Sequence, residues 1–220
     1  MGDLLKNKFD IVVRDLDKKD LFNISDRVKE ISSYGLPNYF DSQRFGSVNF
    51  ENSNKFQFII KDLIQKKYPL DKFKQNPKRL REMLVFSYQS YLWNECVKEI
   101  LKCNVQRLIK IKYSLGELFF YDKLIENELE NRSIPKIFPL LSPNLKMNPS
   151  EEGIINKVLI REKIKLEDLD IKESGNFFKA YGREVILKPE NLKVYNSERD
   201  ELNRNKLKVR VCFELPKGSY

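Results

Sequence analysis

Alternating hydrophobic and polar residues mark both ends of the chain. From residue 8 to residue 14 apolar side chains alternate with mostly polar ones, which predicts a strand with one buried face. The clearest alternation covers residues 207–215 and predicts a strand with two chemically different faces. Its apolar face carries Leu207, Val209, Val211, Phe213 and Leu215, and its polar face carries Lys208, Arg210, Cys212 and Glu214. Residues 183–188 and 192–196 have shorter patterns that also predict strands.

Helical spacing dominates the middle of the chain. Residues 25–33 and 56–64 have apolar side chains three and four positions apart, which predicts a helix over each range, the first ended by Gly35. Asn76-Pro77 opens a third pattern of about 25 residues, a length that predicts a bend or two separate helices. Asn148-Pro-Ser-Glu151 has the spacing of a capping box and predicts the start of a fourth helix.

Between the third and fourth helices the periodicity weakens. Gly116–Tyr121 predicts a short strand, and the prolines at positions 135, 139, 143 and 149 predict a linker-rich region. The whole order of elements predicts an α+β fold, in which a mostly helical insertion interrupts a domain built on an antiparallel sheet. The predicted boundaries are residues 1–49 and 174–220 for the interrupted domain and residues 50–173 for the insertion.

Composition limits the chemistry that this chain can perform. With 220 residues, 41% of them hydrophobic, and only 8 Gly and 9 Pro, the chain predicts a folded globular protein. It contains no histidine, so an imidazole base, a Ser-His or Cys-His dyad and a histidine-liganded metal are excluded. Three cysteines without a C-x-x-C pair predict free thiols in a reducing compartment, with no disulfide framework and no metal site.

The charge balance favours a polyanionic partner. The net charge is +9, and no segment approaches the roughly 18 apolar residues of a membrane span, so a soluble cytoplasmic protein that binds nucleic acid is predicted. One set of basic residues, named here the basic stripe, lies close together in the sequence and comprises Lys66, Lys67, Lys78, Arg79 and Arg81. Two interpretations of the basic stripe remain open: a phosphate-contact surface, or a solvated helix face.

Residues 35–46, named here the signature segment, have neither helical nor strand periodicity. The sequence Gly-Leu-Pro-Asn-Tyr-Phe-Asp-Ser-Gln-Arg-Phe-Gly is bracketed by glycines and dense in aromatic and polar groups. It is either a binding loop or a structural turn pinned by Asn38 and Asp41.

The signature segment resembles a motif of the tRNA pseudouridine synthase D (TruD) family. The usual form of that motif is Gly-Val-Pro-Asn-Tyr-Phe-Gly-x-Gln-Arg-Phe-Gly, and only Leu36 and Asp41 depart from it. Asn7-Lys-Phe9 resembles the family's Asn-x-Phe element, and residues 87–94 resemble its Tyr-Gln-Ser-x-Leu-Phe-Asn helix. Residues 213–220 resemble its C-terminal strand, so the similarity spans nearly the whole chain in the family's order.

The resemblance implies an activity, a partner and a set of site residues. It implies conversion of a uridine in tRNA, uridine 13 in the family, to pseudouridine without any cofactor. The target base would leave its stack and enter a pocket, while lysines and arginines hold phosphates outside. Asn7 and Phe9 would lie beside the uridine, and the signature segment would contribute Asn38, Tyr39, Phe40, Gln43, Arg44 and Phe45 to the pocket. For each of these residues a purely structural role stays open.

This chain also departs from the family pattern. The family's catalytic aspartate belongs to a Gly-x-Lys-Asp-like element well before the Asn-x-Phe element, whereas only six residues precede Asn7 here. Asp10, Asp15 and Asp41 do not match that element, so no catalytic residue is expected in this chain. At the other end, the family strand would continue beyond Tyr220. Two functions follow as alternatives: a synthase of which this chain is a fragment without the catalytic Asp, or a non-catalytic RNA-binding module.

The same departure has a structural consequence. A sheet that lacks its leading strands would expose the backbone along the strand near residues 207–215 or its neighbour near residues 8–14. Self-association through an exposed sheet edge is therefore expected.

Overall fold

The computed structural model describes residues 5–45, 58–121, 134–171 and 178–219, which belong to two compact units. One unit takes its residues from Met1–Asn38 and Ile186–Tyr220, and the other spans Tyr39–Val185. The units therefore meet in sequence after Asn38 and after Val185, whereas the sequence pattern predicts domain boundaries after residues 49 and 173. The assignment of those domains stays a prediction.

Among its described residues, the first unit has two antiparallel sheets and one helix. Its strands and helix are β1 (Lys6–Leu16), α1 (Lys18–Tyr34), β2 (Leu36–Pro37), β7 (Ile186–Leu187), β8 (Glu190–Val194), β9 (Glu198–Arg199) and β10 (Leu207–Pro216). Strand β10 pairs with β1 on one side and with β8 and β9 on the other, and β2 pairs with β7. The alternative in which residues 207–215 form the exposed edge is therefore wrong, and β1 is one of the outer strands of this sheet among the described residues.

The second unit is mostly helical. Its elements are α2 (Ser42–Phe45), α3 (Ile59–Ile64), α4 (Leu70–Lys74), α5 (Lys78–Asn104), β3 (Leu108–Tyr113), β4 (Gly116–Tyr121), β5 (Ile137–Pro139), α6 (Pro149–Glu162) and β6 (Gly182–Glu184), with a 3₁₀ turn at Glu167–Leu169. Among the described residues of this unit, β3 pairs with β4 as a hairpin and β5 pairs with β6, both antiparallel. The mixed helices and antiparallel sheets confirm the predicted α+β class.

Helix α5 organises the core of the second unit. It is one helix of 27 residues, so the predicted division into two helices is wrong, and the alternative of a bend stays a prediction. Apolar residues lie on all sides of its central turns, and three of them, Tyr88, Leu92 and Trp93, are completely buried. A helix that is apolar all round is stable only when other elements cover each face. Here α3, α6 and β4 pack against it.

Two helix starts show how local sequence sets the element bounds. Helix α1 begins at Lys18 and not near residue 25, because the backbone N–H of Asp17 donates to the Asp20 carboxylate at 2.7 Å and closes the first turn. Helix α6 begins as predicted, since Asn148 accepts from the N–H of Glu151 at 2.9 Å and donates its own N–H to the Glu151 carboxylate at 3.0 Å. The predicted helix over residues 56–64 is described from Ile59, and residues 56 and 57 lie outside the described residues.

Two further expectations need correction, and one strand was not expected. The proline-punctuated region is packed and not linker-like, with Phe138, Leu140 and Leu141 at most 1% exposed. Strand β3 was not predicted, although it pairs residue by residue with the predicted β4. In β10 burial does not follow the predicted alternation, because Val209 and Cys212, from opposite predicted faces, are both buried. The register of β10 against β8 also shifts between Cys212 and Glu214.

Among the described residues no helix has the length and apolar content that crossing a membrane requires. The same part of the chain holds no group of three or more potential metal-ligating side chains.

Candidate functional site

The signature segment begins in the first unit with a glycine that cannot be replaced. Gly35 ends α1 at φ +77°, a left-handed conformation that favours glycine, and its N–H donates to Ile31 O at 2.8 Å. A Cβ added to Gly35 would lie 2.6 Å from the carbonyl oxygen of Leu187, the residue that pairs with Leu36. Asn38, the last residue of this part, is buried at 5% exposure.

The remaining part of the segment belongs to the second unit and is fixed by one amide of α5. Asn94, which is completely buried, accepts from the backbone N–H of Phe40 at 2.9 Å and donates to the carbonyl oxygen of Phe40 at 2.9 Å. One side chain thereby satisfies both backbone groups of a residue outside regular structure. Asn94 is also the last residue of the helix element quoted for the family resemblance, so the geometry joins two separate motifs.

An aromatic and cationic cluster surrounds the Phe40 ring. Trp93 packs edge-on against it, with ring centroids 5.6 Å apart. The guanidinium carbon of Arg183 lies 4.0 Å from the Phe40 centroid, and that of Arg44 lies 5.5 Å from it. Burial lowers the pKa of Arg183 to about 10, and the nearby charge of Arg44 acts in the same direction. Planar guanidinium groups stack readily on aromatic faces.

Helix α5 supplies the partners of this cluster at helical spacing. Arg44 donates from Nε to Ser90 Oγ at 3.1 Å, and its guanidinium carbon lies 5.6 Å from the Phe86 centroid. Positions 86, 90 and 94 follow each other at intervals of four, so they lie on one face of the helix. Ser90 and Asn94 of the Tyr-Gln-Ser-x-Leu-x-Asn element therefore lie on the face of α5 that contacts the signature segment.

Three other predicted pocket residues have different environments. The Tyr39 hydroxyl donates to Phe119 O at 3.0 Å, and burial raises the pKa of Tyr39 above its usual value. Phe45 is only 1% exposed and packs edge-on against Tyr113. Gln43 is exposed on α2. Tyr39 and Phe45 thus belong to the hydrophobic packing of the segment, and Gln43 faces solvent.

The first unit places Asn7 and Phe9 on β1. The Phe9 ring stacks on Phe213 of β10, with centroids 5.1 Å apart and an interplanar angle of 16°. Asn7 lies opposite Leu215 in the same register and is half-buried. Since side chains two positions apart share a face of a strand, Asn7 and Phe9 point the same way.

A comparison with known sequences identifies the family. The family model described as tRNA pseudouridine synthase D (TruD) matches residues 1–69 and 57–220. The chain belongs to this family. It is 34% identical over 280 aligned residues to the probable tRNA pseudouridine synthase D 2 of Methanocaldococcus jannaschii, covering 100% of this chain and 66% of that protein. It is 30% identical over 279 residues to the probable tRNA pseudouridine synthase D 1 of Methanococcus maripaludis, covering 100% of this chain and 71% of that protein.

A solved structure shares the TruD fold. The crystal structure of the putative tRNA pseudouridine synthase D from Methanosarcina mazei superposes with a TM-score of 0.65 at 23% identity, over 100% of this chain and 68% of that one. The chain thus spans about two thirds of the length of these TruD relatives. The resemblance inferred from the signature segment is confirmed.

The basic stripe of this TruD family member lies after the end of α3 and at the start of α5. Lys66 and Lys67 follow α3, and Lys78 and Arg79 stand in the first turn of α5. These four side chains are exposed, and none has a carboxylate partner among the described residues. Arg81 is half-buried. In the first unit, by contrast, Lys206 pairs with Asp17 at 3.1 Å and Lys208 pairs with Glu201 at 2.6 Å.

Sequence reasoning missed three residues that contact predicted pocket residues within their own units. Asn94 lies in a quoted motif, but no role was assigned to it. Phe213 lies in the quoted C-terminal element, and its pairing with Phe9 follows only from the β1–β10 register. Arg183 lies in no motif, and a lone arginine after a loop carries no signal that it stacks on an aromatic ring far away in sequence.

Proposed function

We propose that this chain forms the tRNA-binding surface and part of the uridine pocket of a TruD-type pseudouridine synthase. The observation that carries the proposal is the pair of hydrogen bonds between Asn94 and Phe40, which ties the family's helix motif to its signature motif. These two bonds fix the backbone of the signature segment, and they involve none of the side chains of that segment. Gln43 and Arg44 remain exposed and available for a substrate.

The chemistry proposed for the target, uridine 13 by resemblance, is an isomerisation. The bond between N1 of uracil and C1′ of ribose breaks, a bond between C5 and C1′ forms, the C5 proton leaves, and N1 gains a proton. No atom is gained or lost overall. The base must first leave its stack, at a cost of a few kcal/mol. Stacking on an aromatic side chain such as Phe9 would offset this by about 1–3 kcal/mol.

The carboxylate that acts as nucleophile or base in this family belongs, by resemblance, to the Lys-Asp element that precedes the Asn-x-Phe element. Residues Asn7, Phe9, Asn38, Tyr39, Phe40, Gln43, Arg44 and Phe45 are proposed as walls and supports of the pocket. The alternative function is a non-catalytic RNA-binding module. Such a module would bind RNA in the same way but would not isomerise the uridine.

A conversion assay separates the two alternatives. The 220-residue chain should form no pseudouridine in unmodified tRNA, because no motif in it supplies the carboxylate. The same chain extended upstream of Met1 by a family segment that carries the Lys-Asp element should form it, and the extended chain with that Asp changed to Asn is the control. Turnover by the 220-residue chain alone would contradict the placement of the carboxylate, and Asp10→Asn and Asp41→Asn would then be tested.

The basic stripe is proposed to contact RNA phosphates. From residue 66 to residue 81 there are seven basic residues and one acidic residue, Asp71. Lys78 and Arg79 stand at the positive end of the α5 dipole, whose first turn has no acidic residue. This placement is locally unfavourable, and residues that break a local rule are often kept for function. An unpaired, exposed cation can neutralise a phosphate and release a counterion.

The stripe is tested by removing its four exposed charges. The variant with Lys66, Lys67, Lys78 and Arg79 changed to Gln should bind every tRNA more weakly, and log K should fall less steeply with log salt, by about 0.9 for each phosphate that is no longer neutralised. A control with Lys18, Lys19, Lys188 and Lys193 changed to Gln removes equal charge. An equal loss of tRNA affinity in both variants would show that only the net charge matters. An affinity of the unaltered chain that does not change with salt would contradict binding through phosphate contacts.

Self-association through the sheet edge is proposed for β1. Among the described residues β1 pairs only with β10, and its Ile11 and Val12 are 44% and 47% exposed. A long edge strand with exposed apolar residues recruits other strands. Sedimentation over a range of concentrations tests this, and a monomer throughout would overturn it.

A further inference from the structure

Three lysine ammonium groups surround one aromatic ring in the second unit. The Nζ atoms of Lys98, Lys102 and Lys110 lie 5.7, 5.1 and 5.8 Å from the centroid of Phe119. Lys98 and Lys102 are one turn apart on α5, and Lys110 lies opposite Phe119 in the β3–β4 register. The ring face attracts cations, so it holds three positive charges close together. We propose that this Phe119 lysine cluster is a second phosphate-contact site for RNA.

The carboxylates that pair with Lys98 and Lys102 are shared with a third cation. Lys98 pairs with Glu95 at 2.7 Å and Lys102 with Glu99 at 3.0 Å. Arg161 of α6 also binds both glutamates, at 2.7 and 2.6 Å. Two carboxylates thus serve three cations.

The strand β3 adds further positive charge. Lys110 is 3.9 Å from Glu117 and its side chain remains 63% exposed. Arg107 directly precedes β3, and Lys112 lies within it. Both side chains are exposed, and neither has a carboxylate partner among the described residues. The surface around the cluster therefore has more positive than negative charge. A phosphate group of RNA can neutralise this excess, because the glutamates nearby are already paired.

The cluster is bonded to the signature segment through the backbone of Phe119. The Tyr39 hydroxyl donates to Phe119 O at 3.0 Å, and the Phe119 N–H points back to the same hydroxyl oxygen at 3.4 Å. The residue that gathers the lysines is therefore the residue that anchors Tyr39. A phosphate on the cluster would hold RNA against the element that carries Tyr39 and Phe40, which lengthens the RNA contact beyond the basic stripe. The inference rests on the proposed tRNA binding.

The test removes the two exposed members of the cluster. The double variant Lys102→Gln with Lys110→Gln should bind tRNA about tenfold more weakly at moderate salt, with the slope of log K against log salt reduced by about 1–2. The variant with Arg at both positions keeps the charges and should bind within about twofold of the unaltered chain. The control Lys18→Gln with Lys19→Gln removes equal charge from α1 and should leave the slope unchanged.

Two results would overturn the inference. An unchanged slope in the Gln double variant, while the basic-stripe variant loses affinity, would show that RNA binds without the cluster. An equal loss in the α1 control would show an effect of net charge alone. Absence of binding by the unaltered chain would instead refute the proposed function, so the two failures are distinguishable. Circular dichroism of each variant checks that the helices remain.

Discussion

Replacing Asn94 by Ala should lower the free energy of unfolding by about 2–4 kcal/mol, among the largest effects of a single substitution in the second unit. The change removes both hydrogen bonds to Phe40 and leaves its N–H and carbonyl oxygen without their partner. Each buried polar group left unsatisfied costs about 1–3 kcal/mol, and the lost side-chain volume adds to this. The signature segment should detach from α5.

The same helix offers a matched control. Asn104 lies in the last turn of α5, where its side chain donates only within the helix, to Ile100 O at 2.7 Å. Asn104→Ala should therefore lower the free energy of unfolding by less than about 1 kcal/mol. Urea unfolding followed by tryptophan fluorescence measures both, because the chain has 1 Trp and Trp93 is adjacent to Asn94. Equal destabilisation by the two substitutions would refute the assigned role of Asn94.

The elements that the sequence predicted well are those whose stabilising interactions are local. The capping box at Asn148 and Glu151 and the glycine after α1 lie within a few residues of the bonds that they make. The family itself was recognisable because its motifs are contiguous. Asn94 and Phe40 are 54 residues apart, and nothing in either motif indicates that they meet. That contact depends on the tertiary fold.

The proline-rich region shows why a correct local signal can predict the wrong environment. Prolines interrupt regular structure, and irregular backbone is usually exposed because its polar groups need partners. Here α5 supplies those partners from buried side chains. The Gln89 amide donates to Leu141 O at 2.8 Å and to Lys179 O at 2.9 Å. The region can therefore pack in the core without regular pairing, and only the long-range amide contact reveals it.

Acidification should selectively loosen the first unit through one buried carboxylate. Asp200 is 2% exposed and accepts from Arg14 at 2.8 Å, from the N–H of Asp15 at 2.9 Å and from Asn203 at 2.8 Å. Burial by itself would raise the pKa of Asp200, but the hydrogen bonds from Asn203, Asp15, Leu202 and Arg14 lower it well below its ordinary value.

The direction of the pH effect follows from this lowered pKa. The unfolded chain has an aspartate pKa of about 3.9, so below that pH the unfolded state binds a proton that folded Asp200 does not. The stabilisation is complete above this range and is lost as pH falls through the folded pKa. The same neighbourhood contains Glu201, whose pKa is lowered to about 2 by hydrogen bonds from Arg14 and Lys208.

Asp200→Asn should remove this dependence at a cost in neutral stability. The new amide places a donor where the carboxylate accepted from Arg14, Asp15, Leu202 and Asn203, so the turn after β9 separates from the end of β1. Asp15 has φ +59°, and its N–H would lose the bond that holds this left-handed conformation. Hydrogen exchange of residues 6–16 and 207–216 should accelerate at least about tenfold at pH 7.

The pH profile then separates the carboxylate's charge from a general loss of packing. The pH dependence of exchange, corrected for intrinsic exchange rates, gives the number of protons taken up when these strands open. Below pH 4 that number should be smaller by about one in Asp200→Asn than in the unaltered chain. Glu198→Gln is the control, because Glu198 is exposed and 3.6 Å from Lys208. Its exchange should match that of the unaltered chain at every pH. The same pH dependence of exchange in Asp200→Asn and Glu198→Gln would contradict this assignment. It would show that the four hydrogen bonds to Asp200 do not hold the turn after β9 against β1.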